Sequence, residues 1–504
     1  MLRRLLGFAL AALTLVPPLS ATWSIVVVNR KTREVGVVGA TCLEDFNLRK
    51  GIAVVVVGEG AAAAQSFVDT SGDNRRLIYF SYRDTSETPA EILAQLAVLD
   101  AGHETRQYGI VNFDGPPVSF TGRRDGLAAT GVTGEIGDFV YAIQGNVLTG
   151  NAVVFAAEAA FRAKKGGMAD KMMAAMEAAR ALGGDGRCSC DPGRPTSCGV
   201  PPPSFTKSAH VACMVIARLG DTNGGCSSAR GCAEGDYWLN LNVRDGAPDP
   251  DPVFTLEDRY DAWKVRMRGR PDGLLSRVGG LKALPADGVT ERTVTLELRD
   301  FEERLVGHGG HRVEVTTVDG APALATIGPV SDLGNGRYTF TLRAGTVAGR
   351  DRLQVKITDV NPLDPEDVVH ATLYPYLEVD TLSTSLYSSV TQLSAAQGGT
   401  FDLVVNRADK PLAPCWIVAR LAPSRLDDPV RALPRGFGLL HLTDSPFYPS
   451  APGRLDAAGR LETSLAARPG ELAPFVARRV EFTGYVLDGA PLETTDTVAL
   501  EIVR

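Results

Sequence analysis

The sequence predicts an α+β layered domain followed by all-β sandwiches, and three observations carry that prediction. Between Thr22 and Trp263, strand-like runs and helical patterns come in blocks (strands, helices, strands, helices, strands). That order suits a layered α+β domain better than a strict βαβ repeat. From Thr293 onward almost everything is short β-type runs separated by Gly, Pro, Asp and Asn, the texture of sandwiches. At 504 residues the chain is also too long for a single core.

The first segment places Arg3 and Arg4 ahead of an apolar run from Leu5 to Val16, then Pro17, Pro18 and small residues ending in Ala21. This is the layout of a secretory signal peptide over residues 1–21, with cleavage expected after Ala21. The alternative, an uncleaved anchor, meets a length problem: the apolar run falls short of the roughly 20 residues a spanning helix needs. No later apolar stretch is long enough to cross a membrane without charges. The mature chain is therefore expected to be soluble, and secreted or periplasmic.

TWSIVVV and VGVVGAT flank the polar NRKTRE and predict a hairpin with Thr22 at the first residue of its first strand. GIAVVVVG (51–58) is a β-branched run expected as a buried strand, and helical patterns follow it. ETPAEILAQLAVLDAG (87–102) has Pro near its start, acidic residues in its first turn and Gly102 past its end, which predicts a helix. YGIVNF and PPVSFTG around Asp114-Gly115 predict a second hairpin. DFVYAIQGN reads as a strand, 151–165 and 168–183 as Ala-rich helices, and SAHVACMVIARL and YWLNLNV as strands. The Gly/Arg/Pro-rich stretch after Trp263 reads as a linker. The expected domains are 22–265, a linker at 266–289, and β-sandwiches at 290–378 and 379–504.

A formal charge of −7 without a Lys/Arg block argues against a nucleic-acid partner. The 44% hydrophobic fraction is that of a globular chain. Eight cysteines in an exported chain read first as disulfide candidates. Cys188, Cys190 and Cys198 crowd one Gly/Pro-rich loop, and Cys226 and Cys232 another, with His210 between. A Cys/His zinc site is the sharper reading of that cluster, but the irregular spacing favours loop staples.

Cleavage after Ala21 would make Thr22 an N-terminal threonine, which combines a nucleophilic hydroxyl and a base in one residue. Its α-amine has an ordinary pKa of about 7.7–8.0, so near neutral pH it can accept the hydroxyl proton.

TWSIVVVNRKTREVGVVGAT, GEGAAAAQSF, RQYGIVNFDG with the following FTG, YAIQGNVLTG, ALGGDGR, SAHVACMVI and DGAPDPDPV together resemble, in order, the bacterial and archaeal family known as domain of unknown function 1028. The resemblance covers about residues 22–262. It implies a four-layered αββα sandwich of the N-terminal nucleophile hydrolase type. It further implies Thr22 as nucleophile and its own amine as base, with Gln144, Gly145 and Asn146 at a strand end stabilising an oxyanion. Arg106 and Gln107 match an R-Q pair and Gln65 a glutamine, all placed near the pocket. Thr41 stands where the family usually has a serine, as a hydroxyl donor. The chain departs from the family in having AAAQ where relatives carry a hydroxyl residue before the glutamine, and in the Cys-rich insertion at 188–198. Residues 290–375 resemble immunoglobulin-like domains of the invasin type. The remainder to Arg504 is similar to a β-sandwich module of exported bacterial proteins.

Plainer readings stand beside these. Gln144-Gly145-Asn146 suits a strand-to-helix turn with Asn as cap. His210 in an apolar strand suits a core histidine, and Lys50 a solvated strand entrance. Asp249 and Asp251 alternate as in calcium loops but lack the full ligand set. No G-x-S-x-G elbow is present. The expectation is an exported amidohydrolase acting on a peptide, cell-wall fragment or N-acyl compound, with no cofactor and no metal. A cell-envelope component is the partner considered, and a homo-oligomer is left open. The rival is a non-catalytic binding or adhesion protein whose sandwiches supply the function.

Overall fold

The computed structural model describes residues 22–244, 250–318, 324–380, 385–407, 410–422, 453–457, 459–477, 479–487 and 493–504. The expected signal peptide at 1–21, with its cleavage site, lies outside the described residues, as do residues 245–249 of DGAPDPDPV, Asp249 among them. The chain divides into two compact units, Met1–Arg266 and Met267–Arg504.

In the first unit, β1 (Thr22–Asn29) and β2 (Val35–Thr41) form the expected antiparallel hairpin. α1 (Leu48–Ile52) takes the first two residues of the apolar run expected as a strand, leaving β3 (Ala53–Val56). Asn47 caps α1 by accepting the Lys50 N–H, so the chain turns before it extends. β4 (Gly60–Ser66), the alanine-rich GAAAAQS, was not foreseen as a strand. Alanine favours helix in isolation, and here burial between layers overrides that preference.

α2 (Asp73–Asp84) starts from Gly72 without a side-chain cap, which is why no start signal announced it. α3 (Pro89–Leu99) carries the expected signals: Thr88 and Glu91 form a reciprocal capping box, with Pro89 at the first turn. β5 (Arg106–Asn112) and β6 (Val118–Thr121) pair as the second hairpin. β7 (Thr130–Ile136) and β8 (Phe139–Asn146) follow, then α4 (Ala152–Ala163), α5 (Met168–Ala181) and the four-residue α6 (Gly186–Ser189). β9 (Val211–Ala217), a small ribbon of β10 (Thr222–Asn223) with β11 (Gly235–Asp236), β12 (Leu239–Val243) and α7 (Pro252–Met267) complete the unit.

Two sheets result, with orders β12-β9-β2-β1-β8-β7 and β3-β4-β5-β6. Their facing surfaces share one apolar core that includes Val26, Val28, Val35, Val37, Val55, Ala61, Ala63 and Val111. Each fully buried Val there is worth about 1.5–3 kcal/mol. The other face of the smaller sheet packs on α2 and α3 through Ile78, Tyr79, Tyr82, Ile92 and Leu96. On the larger sheet, Tyr141 lies 4.9 Å from the Phe161 ring of α4. The Met168 side chain of α5 sits over Gly36 of β2, where a Cβ would come within 2.9 Å of its sulfur.

The second unit is β-rich. Strands 291–297 and 337–344 lead one sheet and 312–317 and 349–361 another, around cores that include Val294, Leu296, Phe340 and Ile357. The stretch expected as a linker at 266–289 contributes strands: 277–279 pairs with 295–297 and 284–285 with 379–380. Leu284 enters the core, so the first module begins inside the expected linker. A further pair of sheets closes over Phe401, Leu403, Cys415 and Phe482. Among the described residues no helix is long and apolar enough to cross a membrane.

Candidate functional site

Strand alternation sends residues i and i+2 to one face. In β1 the face that carries Val26 and Val28 into the inter-sheet core also carries Ser24 and Thr22. Thr22 is flanked in the sheet by Thr41 of β2 and Asn146 of β8. One rung further in, Ser24 lies between Gly39 and Gln144. From the smaller sheet, Gln65 and Gln107 face each other across β4 and β5. The inter-sheet layer is therefore apolar at one end and polar at the other, although none of these polar residues is more than 1% exposed.

Hydrogen bonds stitch the polar end into a directed chain. The Ser24 hydroxyl donates to Gln65 Oε1 (2.6 Å) and accepts from Gln144 Nε2 (2.6 Å). Gln65 Nε2 donates to Gln107 Oε1 (2.8 Å) and to the Thr22 carbonyl (3.1 Å). Asn146 Nδ2 also donates to Gln107 Oε1 (3.0 Å), and Gln107 Nε2 donates to the Gly145 carbonyl (2.9 Å) and Thr121 Oγ1 (2.9 Å). Each amide has its orientation set by its neighbours, which is how a buried polar network becomes rigid. Gly109 makes room for it: a Cβ there would lie 2.3 Å from Gln144 Oε1.

The structure thus gathers Thr22, Thr41, Gln65, Gln107, Gln144 and Asn146. Asn146 adjoins Thr22, whereas the Gln144 side chain is engaged by Ser24, one rung away. Gly145 pairs with Trp23, and a Cβ on it would meet Leu148 and Trp23. It contributes its carbonyl and its lack of a side chain. Arg106 goes elsewhere: its Nε is 2.8 Å from Asp100 Oδ2, and the guanidinium also donates to the Phe67 carbonyl. Burial pushes the Asp100 carboxyl up, but Arg106, Asn74 and the Gly102 N–H outweigh that and hold it at about 2.

Three residues escaped the sequence reading. Ser24 was legible as the i+2 neighbour of Thr22. Asp185 and Arg187 end the ALGGDGR stretch on which the resemblance partly rests, but only the fold brings them to β2. Asp185, fully buried, accepts from the Cys42 N–H (2.8 Å), and Arg187 Nη2 lies 3.5 Å from Thr41 Oγ1.

Two of the disulfides, Cys190–Cys198 and Cys226–Cys232, are loop staples of the expected kind, whereas Cys42–Cys188 joins the residue after β2 to the cysteine-rich loop, and Cys213 and Cys415 are free and buried. Cys42, Cys188 and His210 come close enough to suggest a metal site. Both sulfurs are joined to each other, however, and a disulfide offers no thiolate. His210 donates its backbone N–H to the Thr41 carbonyl (2.8 Å). Burial and then the Lys207 ammonium lower its imidazole below the ordinary value. Asp251, the described half of the calcium-like pair, accepts from the Ser208 and Val253 N–H groups. It is a buried structural acceptor.

Family models match two stretches: a family of unknown function, DUF1028, over residues 22–192, and invasin domain 3 over residues 279–371. No match is found among curated proteins. Among solved structures, a DUF1028 protein from Silicibacter pomeroyi is similar at 20% identity, covering 48% of this chain and 86% of that one, with a TM-score of 0.36. The Yersinia pseudotuberculosis adhesin InvE is similar at 18% identity, covering 46% and 60%, with a TM-score of 0.18. Residues 22–192 are thus similar to the DUF1028 family of unknown function, and residues 279–371 to invasin domain 3.

Proposed function

We propose that the first unit is a four-layered N-terminal nucleophile hydrolase sandwich, exported and cleaved after Ala21, in which Thr22 hydrolyses an amide bond. One observation carries this reading: a threonine opens a central strand, buried at the polar end of the inter-sheet layer, between a second hydroxyl and a fixed amide. That the family match begins at Thr22 itself supports it. The Thr22 hydroxyl attacks the substrate carbonyl while the freed α-amine takes its proton. Asn146, set by Gln107, is the amide placed to stabilise the oxyanion. The leaving amine takes the proton, and water then releases the acyl group from the Thr22 ester. Gln65 and Gln144 act through Ser24 and Gln107 as positioning residues. The substrate is a peptide, a cell-wall fragment or an N-acyl compound.

The invasin domain 3 match supports a second reading, in which the chain is a non-catalytic adhesion or binding protein. One experiment separates the two. Intact mass and N-terminal sequencing of the exported protein should give Thr-Trp-Ser-Ile. Thr22→Ala should then lower amide turnover by about a thousandfold or more, with thermal stability nearly unchanged. A mature chain that starts elsewhere, or equal turnover in the variant, overturns the hydrolase reading.

A further inference from the structure

One disulfide differs from the other two in what stands beside it. Cys42 and Cys188 lie with His210 in a group whose ligand atoms, two sulfurs and an imidazole nitrogen, are all within 4.8 Å of one another. Among the described residues neither Cys190–Cys198 nor Cys226–Cys232 belongs to such a group. The histidine is arranged as a ligand is. Its Nδ1 is buried with no hydrogen-bond partner, while Nε2 lies 3.5 Å from Glu44 Oε1. A carboxylate at Nε2 draws the proton to that nitrogen and leaves the Nδ1 lone pair open, the arrangement by which metal-binding histidines are fixed. All three residues are half-buried, so a reductant and an ion can reach them.

Closed, the pair offers no thiolate. Opened, it offers two, and two cysteines with one histidine are the donor set of a tetrahedral zinc site that keeps its fourth position for water. With Zn–S bonds of about 2.3 Å, that geometry sets the sulfurs about 3.8 Å apart. Cα atoms 5.7 Å apart allow this by rotation about the two Cα–Cβ bonds.

We propose that Cys42, Cys188 and His210 form a redox-gated zinc site, a covalent tie while oxidised and a metal-bridged tie once reduced. Opening is a two-electron exchange with a dithiol reductant. One reductant thiolate attacks a sulfur of the pair and its second thiol resolves the mixed disulfide, so the reductant leaves as its own disulfide while Cys42 and Cys188 become thiols. Zinc then displaces both thiol protons to solvent. Either tie joins the end of β2 to α6, because Cys42 follows Thr41 and Cys188 lies in α6. His210 adds a link to the same rung through its N–H to the Thr41 carbonyl. The site stands whether or not Thr22 is a nucleophile.

The test reduces the full chain with dithiothreitol, removes the reductant without air, and adds cobalt(II), whose thiolate complexes absorb in the near ultraviolet and whose tetrahedral sites absorb in the red. The reduced protein should take up cobalt with both features, and zinc should displace it. The oxidised protein should show neither. The cysteines of the other two disulfides are reduced as well, so His210→Ala, which leaves every sulfur in place, assigns the signal. It should weaken cobalt binding by more than about a hundredfold, beyond what losing an outer partner costs. Zinc should also protect Cys42 and Cys188 of the unaltered chain from iodoacetamide, read by peptide mapping, while Cys190 and Cys198 stay reactive. That measurement decides the matter alone if His210→Ala does not fold. No cobalt uptake, an undiminished signal in folded His210→Ala, or protection of the other cysteines instead would each overturn the proposal. So would a loss of fold on reduction that zinc does not reverse.

Discussion

The two ends of the inter-sheet layer are equally buried and chemically opposite. At one end Val26, Val28, Val55, Ala61 and Val111 meet across the gap. At the other, Thr22, Ser24, Gln65, Gln107, Gln144 and Asn146 do so, each at most 1% exposed. The apolar end needs only shape and volume, and many aliphatic residues would serve. The polar end needs every donor aimed, because an unpaired buried amide costs about 1–3 kcal/mol. The network here pairs the amide donors but leaves two buried acceptors, Gln144 Oε1 and Asn146 Oδ1, without a partner among the described residues, and such partly satisfied networks collect where chemistry or recognition requires polar groups in fixed directions.

The comparison can be broken from either end. The largest expected effect on stability is at the apolar end, where Ile52 of α1 is fully buried in the inter-sheet core. Ile52→Ala should lower the unfolding free energy by about 2–5 kcal/mol, read from urea midpoints. At the polar end, Gln65→Leu keeps similar bulk but strips partners from Ser24, Gln107 and the Thr22 carbonyl. It should cost about 1–3 kcal/mol. It should also reduce turnover far more per unit of lost stability than Ile52→Ala does. Equal ratios of activity to stability loss in the two variants would erase the distinction between the ends.

A smaller effect sharpens the picture at the loop that joins β6 to β7. Burial pushes the Asp125 carboxyl up to about 6, against weaker lowering by Ser66, the Gly122 backbone and Arg106. The folded chain therefore binds this proton where the unfolded chain, with an ordinary pKa near 4, has already released it. Stability from this group is present at low pH and falls as pH rises through the window from about 4 to about 6. Asp125→Asn should flatten that dependence, by on the order of 1–2 kcal/mol once solvent screening at its partly exposed edge is allowed for. Urea midpoints of both proteins at pH values of about 4 and about 7 provide the check.

Local chemistry made much of this unit legible in the sequence. The β1–β2 hairpin, the β5–β6 turn at Asp114-Gly115 and the Thr88 capping box are all set by residues within a few positions of one another. Thr22 and Ser24 share a face because strands alternate, which needs no partner to predict. The domain resemblance likewise picked out Gln65, Gln107 and Asn146. What the sequence could not determine by itself is everything that depends on a second surface. Nothing local marks the alanine-rich β4 as a strand until it is buried between layers. The stretch expected as a linker becomes strands because 277–279 and 284–285 find edges to pair with. Arg106 and Gln107 are adjacent in the chain yet face opposite ways, one to Asp100 and the other to the Thr22 network. Arg187 reaches Thr41 across 146 residues. Alternation, caps and turns are short-range and written in the order of residues; partners, orphaned donors and the choice between core and site are settled only when distant strands are brought into register.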